Sequence, residues 1–303
     1  MFQIIDICKE LREILPDLQI KEQESMSQHT SFRIGGPCDL MVVPRTEEEL
    51  RQVLRILRER EICPVVLGGG SNVLVSDEGI RGVVILMKDA LTGLELIDET
   101  TIIAESGVSM ARLANFAADC GLTGLEFAQG IPGTVGGGLY MNAGAYGGEL
   151  KDTAVRTKVM HMDGCTEYVE GEAQGLGYRT SAFQHMEAII LGAEFRLQKG
   201  DPASIRETMK DLGQRRRSKQ PLELPSAGST FKRPDGYFAG ALIEEAGLKG
   251  YSVGGAMVSP KHAGFVVNVG GATAADVLTL IRDVQDKVLA ESGVLLEPEI
   301  RMI

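Results

Sequence analysis

The chain has 303 residues, 44% hydrophobic and 24% charged, with a formal net charge of −11. That length buries a large core and suggests about two domains, while the acidic balance excludes a general nucleic-acid binder, so an anionic ligand would need a local basic pocket. No apolar run approaches the ~18 residues of a membrane span, and the five cysteines (Cys8, Cys38, Cys63, Cys120, Cys165) and four histidines (His29, His161, His185, His262) are too dispersed for a disulfide framework or a zinc site.

No metal is expected, no nucleic-acid partner and no membrane insertion; the thiols fit a reducing cytoplasm. The first residues mix apolar positions with Asp6, Lys9, Glu10, Arg12 and Glu13 and read as an amphipathic helix, not a signal peptide. Its face carries Ile4, Ile7, Leu11, Ile14 and Leu15, and it stops before Pro16. The polar residues 21–32 read as a loop. A strand is expected over 38–43, ending at Pro44. Thr46 then caps a helix striped by Leu50, Val53, Leu54 and Leu57, with Glu49 completing a capping box. Residues 64–67 form a short strand that feeds Gly68-Gly69-Gly70-Ser71-Asn72, and further short strands follow at 73–75 and 83–87.

Residues 91–108 are strand-like. Ser109 caps a helix carrying Leu113, Phe116 and Ala117, closed by Gly121 in a left-handed conformation. A glycine-dense run from 121 to 149 comes next, with Pro132, Thr134, Asn142 and Tyr146 between its glycines. No amphipathic period survives there. Such a run lets backbone approach a ligand and lets N–H groups converge on an anion. The alternative is a set of tight turns in a loop-rich fold. No Gly-Lys-Ser/Thr follows, so this is not a Walker A loop, and no Gly-x-Gly-x-x-Gly sits between a strand and a helix. Two separate glycine runs suggest a long, two-ended ligand such as a dinucleotide.

Asp163-Gly164 signals a hairpin between 155–162 and 166–169. Residues 175–181 form a polar turn containing Arg179, and 188–197 a strand. Asp201-Pro202 opens a helix to about Arg217, with Ile205, Met209 and Leu212 inward. It ends on Arg215, Arg216, Arg217 and Lys219. Two readings stand for these cations: pairing with the helix dipole on a solvated face, or a clamp for an anionic substrate. Residues 221–234 look too broken for an element. A helix over 240–246, a strand over 264–269 and a last helix complete the pattern. Thr273 and Asp276 cap that helix, Val277, Leu280, Ile281, Val284 and Val288 stripe it, and Gly293 ends it. Pro298 keeps residues 297–301 extended.

Residue chemistry alone offers only candidates: Arg179 in a glycine-flanked turn, Ser229 in another, and Glu299 beside Pro298. Each residue type is more often a surface or capping group than a catalyst. There is no Gly-x-Ser-x-Gly elbow and no His-Glu-x-x-His. The physics reaches a cytosolic α/β enzyme that binds a phosphate-bearing cofactor.

The ordered segments HTSFRIGG (29–36), LGGGSNVLV (67–75), GLEFAQGIPGTVGGGLYMNAGAYGGE (124–149), YRTSAF (178–183), QPLELPSAGSTFKRP (220–234), AGLKGYSVGGAMVSPKHAGFVVN (246–268) and LEPEIR (296–301) resemble the UDP-N-acetylenolpyruvoylglucosamine reductase (MurB) family, in its shorter, type II form. The resemblance implies an α+β fold: an FAD-binding module of the vanillyl-alcohol oxidase (PCMH) type in two α/β subdomains at 33–198, a lead-in at 1–32, and a C-terminal α/β substrate-binding domain at 199–303. FAD would be bound non-covalently, with Cys38, next to Pro37, as the other attachment point. Its pyrophosphate would lie on Gly68, Gly69, Gly70, Ser71, Asn72, Gly130, Ile131, Pro132, Gly133, Thr134, Gly136 and Gly137, with Asn142 and Gly144 continuing the wall.

The implied reaction has two halves. Hydride passes from NADPH to the flavin, then to the vinyl terminus of UDP-N-acetylglucosamine enolpyruvate, and the resulting enolate is protonated to give UDP-N-acetylmuramate. Ser229 would donate that proton. Arg179 would bind the substrate carboxylate and offset enolate charge. Glu299 would complete the set, either protonated or paired with Arg179. Arg216, Lys219 and Lys249 would meet the UDP phosphates or the carboxylate, and Asn268 the uridine side. Two positions depart from a family pattern: Arg233 stands where some members have a substrate-binding Asn, and Val269 where an acidic contact falls. Two other readings remain: a flavin oxidase or dehydrogenase of this fold acting on another alcohol or sugar, and a non-catalytic nucleotide-binding protein. A monomer or weak dimer is expected.

Overall fold

The structure, a computed structural model, describes residues 2–303. The chain divides into two compact units. One takes in the chain up to Gln23, Asp39–Gly69 and Gly82–Gln214; the other takes in Glu24–Cys38, Gly70–Arg81 and Arg215–Ile303.

The first unit holds two hydrophobic clusters. In one, helices α1 (Phe2–Ile14) and α2 (Glu47–Arg58) cover a sheet ordered Gln19–Ser25, Pro37–Val43, Ile80–Leu86, Val65–Leu67. The α2 stripe is buried as its 3.6-residue period requires: Leu50, Val53, Leu54 and Leu57 lie in the core with Ile56. Thr46 Oγ1 accepts the Glu49 N–H at 3.1 Å. The reciprocal half of the expected box is replaced, because the Glu49 carboxylate takes the Arg45 N–H at 2.6 Å. On α1, Ile7, Cys8 and Leu11 are buried while Ile14 is exposed. The expected loop over 21–32 begins as a strand, Gln19–Ser25. It is polar because it runs at the sheet edge with no fully buried side chain, so it shows no apolar alternation.

The second cluster backs an antiparallel sheet ordered Thr166–Glu170, Ala154–His161, Ala188–Arg196, Thr101–Glu105, Leu94–Leu96. Helix α3 (Met110–Asp119) packs here, capped by Ser109 Oγ, with Gly121 at φ +68° beyond its end. The glycine run is not irregular throughout. It contains a short helix, α4 (Val135–Tyr140), whose cap is Thr134. Helix propensity would oppose three glycines there. Packing explains two of them: a Cβ on Gly138 would stand 2.9 Å from Met110 Sδ, and one on Gly136 2.9 Å from Ser106 Cβ. Helix α5 (Pro202–Lys219) sends Ile205 and Met209 into this core, with Leu212 packed at its edge.

The second unit is built on an antiparallel sheet ordered Ser226–Ser229, Phe265–Asn268, Ala256–Val258, Ser252–Val253. Its core takes side chains from helices α6 (Ala239–Glu245) and α7 (Ala274–Ser292). All five predicted stripe residues of α7 are buried, the Thr273–Asp276 box forms in both directions, and Gly293 closes the helix at φ +71°. Asp77 adds a second cap, accepting the N–H groups of Ala274 at 2.7 Å and Ala275 at 3.0 Å. The 221–234 stretch, expected to be formless, contains the strand Ser226–Ser229. Its ladder shifts register between Ser226 and Ser229, and Gly228 sits at φ +79°, so no two-residue period was there to read.

Candidate active site

In the first unit the two glycine runs meet backbone to backbone. A Cβ on Gly68 would fall 2.8 Å from Thr134 Oγ1, and one on Gly69 2.7 Å from Gly133 Cα. A side chain at Gly69 would force the runs apart, since every close atom there is backbone. The N–H groups of Gly68, Gly69, Gly133 and Thr134 donate to no described backbone carbonyl. Unpaired backbone donors massed in one place are the raw material of an anion site.

The Arg179 turn is tied to the end of this glycine run. Gly177 and Thr180 form an isolated antiparallel bridge, and between them Arg179 adopts φ +55°. Ser181 Oγ and Gln184 Nε2 each donate to the Tyr140 carbonyl at 2.8 Å, and Gln184 also holds the Arg179 carbonyl at 3.2 Å. Asn142 is fully buried and braces the turn from beneath. Its Nδ2 donates to the Gly177 carbonyl at 2.9 Å and to Glu149 Oε2 at 2.8 Å, and its Oδ1 accepts the Lys151 N–H at 2.9 Å. The half-buried Arg179 guanidinium lies 5.2 Å from the centre of the Tyr178 ring and donates to the Gly144 carbonyl at 3.4 Å. A left-handed, non-glycine backbone held by this many bonds is a built feature, since each such residue costs about 1–3 kcal/mol.

In the second unit Ser229 and Glu299 come together through the backbone. Ser229 ends its strand opposite Phe265. The next residue, Thr230, donates its N–H to Gly264 at 2.8 Å, and its carbonyl accepts the Glu299 N–H at 2.8 Å. Lys232 N–H bonds the Glu297 carbonyl at 2.8 Å, framing the Phe231–Pro298 bridge. Asn72 reaches the same place: its Nδ2 donates to the Glu299 carbonyl at 3.2 Å. Gly70 and Ser71 precede it, with Ser31 holding the Gly70 carbonyl through its N–H at 2.9 Å. Arg233 lies four residues past Ser229, its guanidinium 4.0 Å from the centre of the Phe238 ring.

The profile of an FAD binding domain matches residues 38–168, and that of the C-terminal domain of UDP-N-acetylenolpyruvoylglucosamine reductase matches residues 220–303. The UDP-N-acetylenolpyruvoylglucosamine reductase of Syntrophomonas wolfei is 49% identical over 294 residues, covering 97% of this chain and 98% of its own. The crystal structure of the Thermus caldophilus enzyme (MurB) matches with TM-score 0.78 at 35% identity, covering 94% of this chain and 98% of that one. This chain belongs to the UDP-N-acetylenolpyruvoylglucosamine reductase (MurB) family. A 4-ethylphenol oxidase of Gulosibacter chungangensis, at 17% identity and TM-score 0.51 over 65% of this chain and 43% of its own, shows a likeness of fold alone.

For a MurB-family chain the fit of FAD can be tested on the residues present. A dinucleotide pyrophosphate needs converging N–H donors and no side chain in its way. The Gly68–Gly69 and Gly133–Thr134 segments lie in contact, and their N–H groups donate to no described backbone carbonyl. The residues fit the group.

Other positions singled out from the sequence have different surroundings. Asn268 is buried: its Nδ2 donates to the Phe32 carbonyl at 3.1 Å, and its Oδ1 accepts Gly270 N–H at 2.9 Å and Ala272 N–H at 3.2 Å. Lys249 Nζ pairs with Glu244 at 2.6 Å. Arg216 and Lys219 lie in the last turn of α5, where Lys261 Nζ caps the Arg217 carbonyl at 2.8 Å.

Sequence reasoning passed over His262. Its Nδ1 accepts the Gly264 N–H at 3.1 Å, and its ring meets Phe265 edge-on. Burial pushes its pKa below the ordinary histidine range. The nearby Lys249 and Lys219 charges push the same way, and Glu244 opposes them. Nothing in the spacing around residue 262 marks it. The 252–258 hairpin, also passed over, did carry a signal, since Gly254-Gly255 is a two-residue hairpin turn.

Proposed function

We propose that this chain is an FAD-dependent reductase that takes hydride from NADPH and reduces the enolpyruvyl group of UDP-N-acetylglucosamine enolpyruvate, giving UDP-N-acetylmuramate for peptidoglycan synthesis. The observation that carries the reading is the backbone lattice joining Ser229 and Glu299, in a chain 49% identical to a named reductase along nearly its whole length. The reading puts the reaction in the cytoplasm, where NADPH is made, and links it to cell-wall growth, cell shape and division.

FAD, when bound, carries the hydride between the two substrates. We assign it to residues 33–198, held without a covalent bond. The Gly68–Gly69 and Gly130–Gly137 backbones would receive the pyrophosphate, and the Cys38 side chain is fully buried. The substrate falls to residues 199–303, with Arg216, Lys219 and Lys249 supplying positive charge. Ser229 would hold the proton destined for the enolate carbon. A hydroxyl is a weak acid, so its use depends on placement, and Ser229 stands at the end of its strand opposite Phe265. Arg179 would receive the substrate carboxylate from its braced turn. Glu299 would complete the set around the developing enolate.

The test is anaerobic. Flavin in the purified protein is bleached with one equivalent of NADPH, and the enolpyruvyl substrate is then added. Return of colour without oxygen supports the reductase. Flavin that stays bleached until air enters points to an oxidase with another substrate. Arg179→Ala, Ser229→Ala and Glu299→Ala should each slow re-oxidation by the substrate roughly 100-fold or more while NADPH still bleaches the flavin. Equal loss of both halves would contradict these roles.

A further inference from the structure

Glu299 is fixed on both sides by residues remote in sequence. Its N–H is held by Thr230 and its carbonyl by Asn72 Nδ2. Beyond it the chain forms a two-residue strand, Arg301–Met302, parallel to Val73–Leu74. The pairing extends past its strand limits: Arg301 N–H donates to the Asn72 carbonyl at 3.0 Å, Ile303 N–H to the Leu74 carbonyl at 3.0 Å, and Ser76 N–H to the Ile303 carbonyl at 2.8 Å. Leu74 and Ile300 are both buried in the core of this unit, which sets the register.

Two observations make this more than a fastening. A two-residue parallel strand adds little stability by itself. And it joins one particular pair of segments. Residues 73–74 directly follow the loop Gly70–Asn72, and Arg301 is two residues from Glu299. Asn72 touches both: its carbonyl takes the Arg301 N–H and its side chain takes the Glu299 carbonyl. A shift of the short strand by one residue would move Glu299 by about 3.3 Å, and a displacement near 1 Å at a catalytic group can cost about 100-fold in rate.

We propose that the Arg301–Ile303 strand is a positioning element for Glu299, and that it sets the rate of the substrate half-reaction without taking part in flavin reduction. The inference rests on the role given to Glu299 above. It assigns to the backbone pairing of residues 301–303 control over a single step.

The test uses the full holoenzyme and stopped-flow absorbance of the flavin. Deleting Met302 and Ile303 removes the bonds to Leu74 and Ser76. Ile303→Pro removes only the donor to Leu74, and Ile303→Val keeps it. The expected result is parental flavin content and a parental rate of bleaching by NADPH in all three. The saturating rate of re-oxidation by the enolpyruvyl substrate should fall about 10-fold in the deletion and less in Ile303→Pro, and be restored in Ile303→Val. The substrate concentration for half-saturation should stay unchanged. A parental re-oxidation rate in the deletion refutes the proposal, as does an equal fall in both half-reactions with loss of flavin, the mark of a merely structural strand. Glu299→Ala is run in parallel. If it is slow while the deletion is parental, the strand alone is refuted. If it re-oxidises at the parental rate, the role of Glu299 is wrong and the strand's role falls with it.

Discussion

Gly69→Ala probes the meeting of the two glycine runs. The added Cβ would stand 2.7 Å from Gly133 Cα, 3.3 Å from Gly133 C and 3.4 Å from Thr134 N. Carbon contacts settle at about 3.5–4.0 Å, so the two backbones must part by about 1 Å. No flexible side-chain tip is available to yield, because the nearest atoms belong to main chain. The donors that would receive the pyrophosphate lie on both sides of that contact. A hydrogen bond to a charged group contributes about 1.5–3 kcal/mol. Weakening two of them by this displacement should cost about 2–3 kcal/mol, or a rise of roughly 30- to 150-fold in the FAD dissociation constant. The assay is quenching of flavin fluorescence on titrating FAD with apoprotein. Gly171→Ala is the control: Gly171 has φ +51° with nothing within 4 Å of a Cβ, so it should cost about 1 kcal/mol of stability and leave FAD affinity alone. A change below about threefold in Gly69→Ala would refute the shared cradle, since ~0.6 kcal/mol is too little for two displaced donors.

Three further outcomes follow from the described contacts. Asn142→Ala strands three bonding partners and puts alanine at φ +43°; it should lose about 3–4 kcal/mol, and a midpoint within about 2 °C of the parent in thermal unfolding would contradict the bracing role. Asp77→Ala removes two acceptors from the start of α7 and should cost about 1–2 kcal/mol, seen as a lower urea midpoint with an unchanged slope; an unmoved midpoint would mean that the Thr273–Asp276 box suffices. The His262 pKa is lowered by burial, so the folded state binds fewer protons than the unfolded one. Its contribution is therefore complete above the unfolded value of about 6.5 and is lost as pH falls through the lower folded value. The parent should lose thermal stability as pH falls below about 6.5 faster than His262→Gln does, and parallel curves would reject that sign.

How far the sequence carried differs from element to element. Helices α2 and α7 were legible because periodic burial and a capping residue agree at each, and α7 adds an αL glycine at its end. The strand Ser226–Ser229 was not, because its bulge at Gly228 erases the alternation. Helix α4 was hidden because two of its glycines serve packing against Met110 and Ser106 rather than helix formation. At the site, glycine density did point to a phosphate-bearing ligand, but no spacing rule distinguishes Arg179, Ser229 and Glu299 from surface residues; family resemblance alone singled them out. Asn142 and Asn268 show the limit of residue type as a guide. Both amides are buried in bonds to their own protein, which composition cannot reveal.

The strand shared by residues 73–74 and 301–302 also constrains how the molecule is made. Its halves are 228 positions apart (301 − 73). At ~5–20 residues per second, translation separates their appearance by about 11–46 seconds. Through that interval the segment after the first glycine loop exists without the neighbour that completes its pairing, and long-range pairing of this kind forms slowly even once both halves are present. The second unit can reach its final form only after residue 303 has left the ribosome, so the part of the molecule that aligns Glu299 is among the last to be assembled.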